Sequence, residues 1–251
     1  MTVPYRFETS WKVVALVVVL LPLLLRLGVW QMERAEEKRQ LENLYASRQS
    51  GAPIDQAQLA SLGSDAEVLA YLRVSLAGEL DNERVVLLDN SIRDGVPGYE
   101  VLQLLHTRAG TAYLLNRGWL PGFADRQQLP SVEPVTLARD FIGTIYVPAG
   151  AAFLLKADTV DSKPDDIIWP VVVQSIDIER ISALFDVSLF PYSVRLETGQ
   201  ISAFRTDWAA VSTSPEKHWG YAVQWFCMAI ALVVFFLFSS MQRIPDATRD
   251  L

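Results

Sequence analysis

From Trp219 through Gln242 no residue carries a formal charge. At about 1.5 Å per residue a helix over this stretch rises roughly 36 Å, enough to cross a hydrocarbon core of about 30 Å. A second apolar stretch lies near the other end. The uncharged run Val13 to Leu25 alone rises only about 20 Å, and extension to Trp30 closes the gap. The extension puts Arg26 a turn from the interface, where its stem lies in lipid while the guanidinium reaches headgroups, and Trp11 and Trp30 take interfacial positions. The exit Leu27-Gly28-Val29-Trp30-Gln31 offers no A-x-A-like cleavage site, so the segment reads as a retained anchor rather than a signal peptide.

Two spans around one long connection force both termini to the same side. The predicted division is an N-terminal segment 1–10, a first span 11–30, a domain 31–218, a second span 219–241 and a tail 242–251. Charge does not set the side, because Arg6, Lys12, Arg243 and Arg249 on the termini are balanced by Arg34, Lys38, Arg39 and Arg48 after the first span.

The connecting region begins with Met32 to Arg48, which mixes both charge signs without Gly or Pro and continues the first helix outward. Loops around Gly51, Pro53 and Ser61 to Ser64 bracket a short helix at Asp55 to Leu62. After residue 70 the apolar period shortens to two: Leu72, Val74 and Leu76 alternate with Arg73, Ser75 and Ala77. Further strands are predicted at Arg84 to Leu88, Tyr99 to Thr107, Thr111 to Trp119, Val135 to Val147, Ile168 to Gln174 and Tyr192 to Glu197, with a hairpin turn at Arg108-Ala109-Gly110. Asp177 to Phe185 reads as a short helix with Ile178, Ile181, Leu184 and Phe185 on one face. The expected fold is an α+β membrane protein: two transmembrane helices flank an antiparallel β-rich domain, curled or closed to manage its edges, outside the cytoplasm.

Composition removes several function classes. A single cysteine, Cys227, excludes an intramolecular disulfide, a CxxC metal clip and covalent c-type haem attachment, and its place in a span argues against a copper carrier. A net charge of −7 disfavours nucleic acid as a partner. No GxSxG, HExxH, Walker loop or paired Cys/His arrangement appears, and Asp165-Asp166 in a Lys-Pro-Asp-Asp loop reads as a hydrated pair, so enzymatic activity is not expected.

Three features merit chemistry. His106, on the strand face of Leu102 and Leu104, reads as a hydrogen-bonded packing residue. His218 lies where the chain enters the second span, among Trp219, Tyr221, Trp225 and Phe226. Two readings apply to it: an interfacial belt with polar tips in headgroups, or axial ligation of a haem whose flat apolar ring those aromatics would cover. Spacings of three and four put His218, Tyr221 and Trp225 on one helix surface, with Gln224 as a polar group inside the span. Trp30, Gln31 and Arg34 occupy the corresponding exit of the first helix, so packing of the two spans would bring them level with His218 and Tyr221 as one interfacial pocket. In Asn116-Arg117-Gly118-Trp119, Gly118 permits close backbone approach. Arg117 either stacks on an aromatic ring as a structural residue or reaches a haem propionate or partner carboxylate.

Four segments together resemble the surfeit locus protein one family of cytochrome c oxidase assembly factors. Leu27-Gly28-Val29-Trp30-Gln31 followed by Arg34 and Lys38 is similar to its LGxWQxxRxxxK segment, and Asn116-Arg117-Gly118-Trp119-Leu120-Pro121 to its NRGW-hydrophobic-P signature. Leu88-Asp89-Asn90 with Gly95 to Tyr99 resembles the upstream family stretch. His218-Trp219-Gly220-Tyr221-Ala222-Val223-Gln224-Trp225-Phe226 is similar to the HxGYAxQWF pattern opening the second span. The resemblance implies a bacterial inner-membrane protein with cytoplasmic termini and a periplasmic domain, or the corresponding arrangement in mitochondria. It also implies a role where haem a enters the catalytic subunit of cytochrome c oxidase, with that subunit and haem a biosynthesis or assembly proteins as partners. His218 is then the expected haem-iron ligand, with Tyr221, Trp225, Trp30 and Arg117 as cofactor-binding residues. The alternative is a structural chaperone for the nascent subunit that never touches haem.

Overall fold

In a computed structural model of the chain, residues 5–136, 139–148, 167–200, 202–209 and 213–243 are described. The expected Asp165-Asp166 loop lies outside them, as do residues 137–138 of the strand expected at Val135 to Val147. The chain divides into two compact units, Met1–Asn43 with Ala209–Leu251, and Leu44–Trp208. The division falls 13 residues beyond the end of the first span read from sequence, because the first helix runs without a break far past the apolar stretch.

The first unit holds most of α1 (Trp11–Gln49) and all of α5 (Pro215–Ser240), both long and apolar enough to cross a membrane. They run antiparallel, and β1 (Tyr5–Phe7) pairs antiparallel with β9 (Met241–Arg243) at one end, so the chain enters α1 and leaves α5 side by side. Pro215 opens α5 at its first turn, where a missing N–H costs no helix bond. Covered positions recur at spacings of three and four: Gly28, Gln31 and Ala35 on α1, and His218, Ala222, Trp225 and Ala229 on α5. That is the seam of a packed helix pair. The remaining surface carries exposed Val18, Val19, Leu23, Phe235 and Phe238, an apolar exterior suited to lipid. Beyond the apolar stretch, ion pairs Arg34–Glu37 and Arg39–Glu36 line the solvated turns of α1. Arg26 pairs with Glu33 at 3.6 Å, both exposed.

The second unit contains β2 (Ile54–Asp55), α2 (Gln56–Ser61), α3 (Ala66–Leu69), β3 (Arg73–Arg93), β4 (Val96–Thr107), β5 (Ala112–Pro121), β6 (Arg139–Tyr146), β7 (Val171–Val173), α4 (Ile178–Phe185) and β8 (Ser193–Leu196). Aspartates 55, 65 and 177 cap the three short helices, and Asp55 with Gln58 forms a reciprocal capping box. The strands follow the order β3-β4-β5-β8-β6, and β6 pairs back onto β3, closing a five-stranded barrel. One 21-residue strand serves both neighbours: Arg73 to Gly78 pair with β6, and Gly78 to Arg93 pair with β4. Strand period two then fills the interior with Val74, Leu76, Leu105, Tyr113, Leu115, Phe141, Ile145 and Val194. On the other face Leu102, Leu104 and Leu114 pack under Ile181, Leu184 and Phe185 of α4.

The sheet is mixed, not antiparallel throughout. Pairs β2–β3, β3–β7 and β5–β8 run parallel. The segment joining β7 to β8, which carries α4, is long enough for the chain to cross over and return in the same direction.

The Asn116 to Trp119 stretch knits the barrel together. Gly118 has φ +112°, and a Cβ there would stand 2.7 Å from the Arg205 carbonyl oxygen. That closeness lets residues 204–205 pair with β5 through Phe204 N–H to Arg117 O and Trp119 N–H to Arg205 O. Asn116 donates to Glu100 at 2.8 Å, and Trp119 Nε1 donates to Ser91 O. Arg117, 2% exposed, donates to Ser202 O, Gln103 Oε1 and Glu133 O and lies 4.5 Å over the Phe204 ring. Burial pushes its pKa down to about 10, which still leaves it charged at neutral pH. His106 is exposed rather than packed.

Two measurements test this account. Arg117→Ala takes the donor from Ser202 O, Gln103 Oε1 and Glu133 O and is expected to cost about 3 kcal/mol, read as a lower unfolding midpoint of the purified chain; an unchanged midpoint contradicts the network. Asp81 sits at the kink of β3. Burial works to raise its pKa, but hydrogen bonds from the Arg84 and Glu83 backbone and the Arg84 side chain outweigh it and hold the carboxyl below the ordinary range. A carboxyl lowered on folding stabilises above its unfolded pKa and loses that contribution as pH falls through the folded one. Asp81→Asn should therefore flatten part of the stability loss seen on acidification below the ordinary aspartate range.

Candidate ligand site on the helix pair

Ridges of small residues let α1 and α5 approach closely. A Cβ on Gly28 would stand 2.7 Å from the Phe226 ring, so the ring lies directly on the α1 backbone. Ala35, Ala222 and Ala229 are likewise almost fully covered. At the charged end of this seam His218 is half-buried, and its Nδ1 lies 2.8 Å from Gln31 Oε1. An amide oxygen only accepts, so in the neutral imidazole this bond puts the proton on Nδ1 and the lone pair on Nε2. Among the described residues no hydrogen bond to Nε2 occurs.

Such a histidine has the arrangement of a metal ligand held by an outer partner: one ring nitrogen fixed by an acceptor, the other presented with its lone pair. Tyr221, exposed, and Trp225, half-buried, follow at spacings of three and seven and share its side of α5. Trp30 stands beside Gln31 on α1, exposed, with the Arg34 guanidinium 6.0 Å over its ring. These residues present one imidazole, aromatic surface and an apolar surround, which fits the donor set of a haem with one protein axial ligand. Among the described residues no group of three His, Cys, Asp or Glu forms an alternative metal centre.

Four of the five expected site residues thus occupy the helix pair. Arg117 is built into the β-rich unit, where its guanidinium serves protein acceptors and the Phe204 ring, the structural one of its two readings. Sequence reasoning set Trp30, Gln31 and Arg34 at the depth of His218 and Tyr221 without naming Gln31 as the hydrogen-bond partner of the histidine. The signal that finds the pair is the spacing Gly28, Gln31, Ala35, which puts the glutamine on the seam.

The Gly28–Phe226 contact predicts a coupled pair. Gly28→Ala should destabilise the purified protein by about 1–3 kcal/mol, and adding Phe226→Leu should recover a measurable part in a double-mutant cycle. Strict additivity would show that the helices do not meet there.

A model of the SURF1 family matches residues 18–230. A SURF1-like protein of Rickettsia felis is 23% identical over 228 residues, covering 88% of this chain and 93% of that protein. A SURF1-like protein of Rickettsia conorii is 23% identical over 235 residues, covering 88% of each chain. A SURF1-like protein of Dictyostelium discoideum is 36% identical over 100 residues, 37% of each chain. The matched span takes in the seam of α1, the whole barrel and α5 past Ala229, and on that match the chain belongs to the SURF1 family, known generally as oxidase assembly factors.

Proposed function

We propose that this chain assists assembly of a haem-copper cytochrome c oxidase by holding haem a transiently on the helix pair and delivering it to the catalytic subunit. The observation that carries this reading is the Gln31–His218 bond, which selects the neutral-ring tautomer with the proton on Nδ1 and Nε2 presented as a ligand. His218 would hold the iron, Gln31 would fix the tautomer and ring orientation, and Tyr221, Trp225 and Trp30 would cover the macrocycle. The bound haem supplies the redox centre that the oxidase needs; this chain contributes binding and orientation and performs no catalytic step.

A single half-exposed imidazole suits transfer. One protein ligand at the open end of a two-helix seam leaves the second axial position to whatever receives the group, and a site with little enclosure releases its ligand readily. The oxidase subunit and the proteins that make or supply haem a are the corresponding partners. The setting is the bacterial inner membrane, with both termini cytoplasmic and the β-rich unit periplasmic. In support, β1 and β9 pair at the same end of the helices.

Purification from a host that makes haem a tests the reading. The wild-type chain should carry a Soret band, His218→Ala should lose most of it, and Gln31→Ala should weaken it by a smaller factor. Equal haem content in wild type and His218→Ala overturns haem ligation. Co-purification of the oxidase subunit at full yield from a host lacking haem would instead favour a chaperone that handles only the polypeptide.

A further inference from the structure

Two to three turns below His218 the seam opens into a groove of about 330 Å³ lined only by hydrocarbon, with Leu21 and Leu25 of α1 facing Phe226, Ala229 and Val233 of α5. We propose that this groove receives the isoprenoid tail of the haem held at His218, so that the site selects a haem bearing such a chain over one that lacks it. The inference rests on the haem reading above and adds a second point of recognition to it.

Continuity with the ligand site is the first argument. Ala229 lies eleven residues after His218, close to three whole turns, and so falls almost directly beneath it on the same face of α5. Phe226 links the two, since its ring rests on Gly28, one turn from Gln31 on α1. A chain leaving a ring edge near His218 therefore meets the groove about 12 Å further along the helix axis. Chemistry is the second argument. The lining carries no hydrogen-bonding side chain, so an occupant with polar atoms would lose their partners there, whereas a methyl-branched hydrocarbon loses nothing. Access is the third. Leu25 and Ile230 are 44% and 63% exposed, so the groove opens sideways and a tail can enter from the bilayer without threading between the helices.

The expected preference is modest. A bilayer already keeps such a tail out of water, so the groove gains only from closer packing and from tethering to the ring, which sets the scale at about fivefold to tenfold.

The test uses the full chain in lipid nanodiscs, titrated with haem b and with haem o, which differs from haem b by the isoprenoid substituent. Soret absorbance gives each affinity. Wild type should bind haem o about fivefold to tenfold more tightly than haem b. Val233→Phe and Val234→Trp, which fill the groove from outside the close helix crossing, should bring haem o down to the affinity of haem b and leave haem b unchanged. Using two substitutions of different size guards against a fold defect, which would lower both haems together. Equal wild-type affinities overturn the proposal, and so do groove variants that leave the haem o preference intact, the outcome expected if a lipid acyl chain is the occupant. Should neither haem bind, or should His218→Ala bind both as wild type does, the haem reading itself fails; loss of the preference alone, with haem b still bound through His218, removes only the tail site.

Discussion

The helix pair depends on the close approach of two backbones at Gly28. In a bilayer, burying apolar side chains against each other gains little over leaving them in lipid, so helices associate through van der Waals contact at short range and through the few polar groups they share. Here both operate on one seam. Gly28 lets the Phe226 ring lie on α1, the alanines at 35, 222 and 229 keep the crossing narrow, and the Gln31–His218 bond closes its charged end. A larger residue at Gly28 would force the helices apart at the point that sets the Gln31 to His218 distance. Packing and ligand geometry are thus one problem at this site.

The β-rich unit solves a different problem. Five strands close without free edges only because β3 is long enough to bend and pair on both sides, and the bend falls at Asp81 to Arg84, where the register with β4 shifts. Within the closed sheet Arg117 of β5 and Gln103 of β4 form a satisfied polar pair, with carbonyls of residues 133 and 202 taking the remaining hydrogen bonds. A buried guanidinium of this kind fixes the position of three separate segments at once.

What could be read from the sequence follows this division. The long helices were visible because charge is absent over a whole bilayer's thickness in the second and over most of it in the first, and the core strands because Leu72 to Leu76 alternate and Thr111 to Trp119 is rich in aromatic and leucine residues. The division into Leu72 to Leu76 and Arg84 to Leu88 as separate strands reflects a real irregularity, the turn made by Asp81, inside what is one strand. Parallel pairing of β5 with β8 was not legible, since strand direction depends on the path of the intervening chain and not on local period. The three-residue strands beside the spans and the turn of α3 are too short to carry a periodic signal. At the candidate site, His218, Tyr221 and Trp225 were legible as one helix face. Depth along the spans put Gln31 level with His218, but the bond between them was not legible, because it is fixed by the register of two helices that no local pattern reports.

The motifs that identify the family therefore do separate work. Asn116 to Trp119 is consumed by barrel closure: its amide, guanidinium and indole nitrogen all donate to protein acceptors, and its glycine admits a neighbouring backbone. The segments at Gly28 to Gln31 and His218 to Phe226 instead leave chemistry unspent, an imidazole nitrogen and aromatic surface at the membrane end of the seam. Loss of function from a change in the first motif is a folding defect that should be accompanied by loss of protein. Loss from a change at His218 that leaves protein abundance intact is a defect of the site, and it is this contrast between equally recognisable motifs that the sequence alone could not supply.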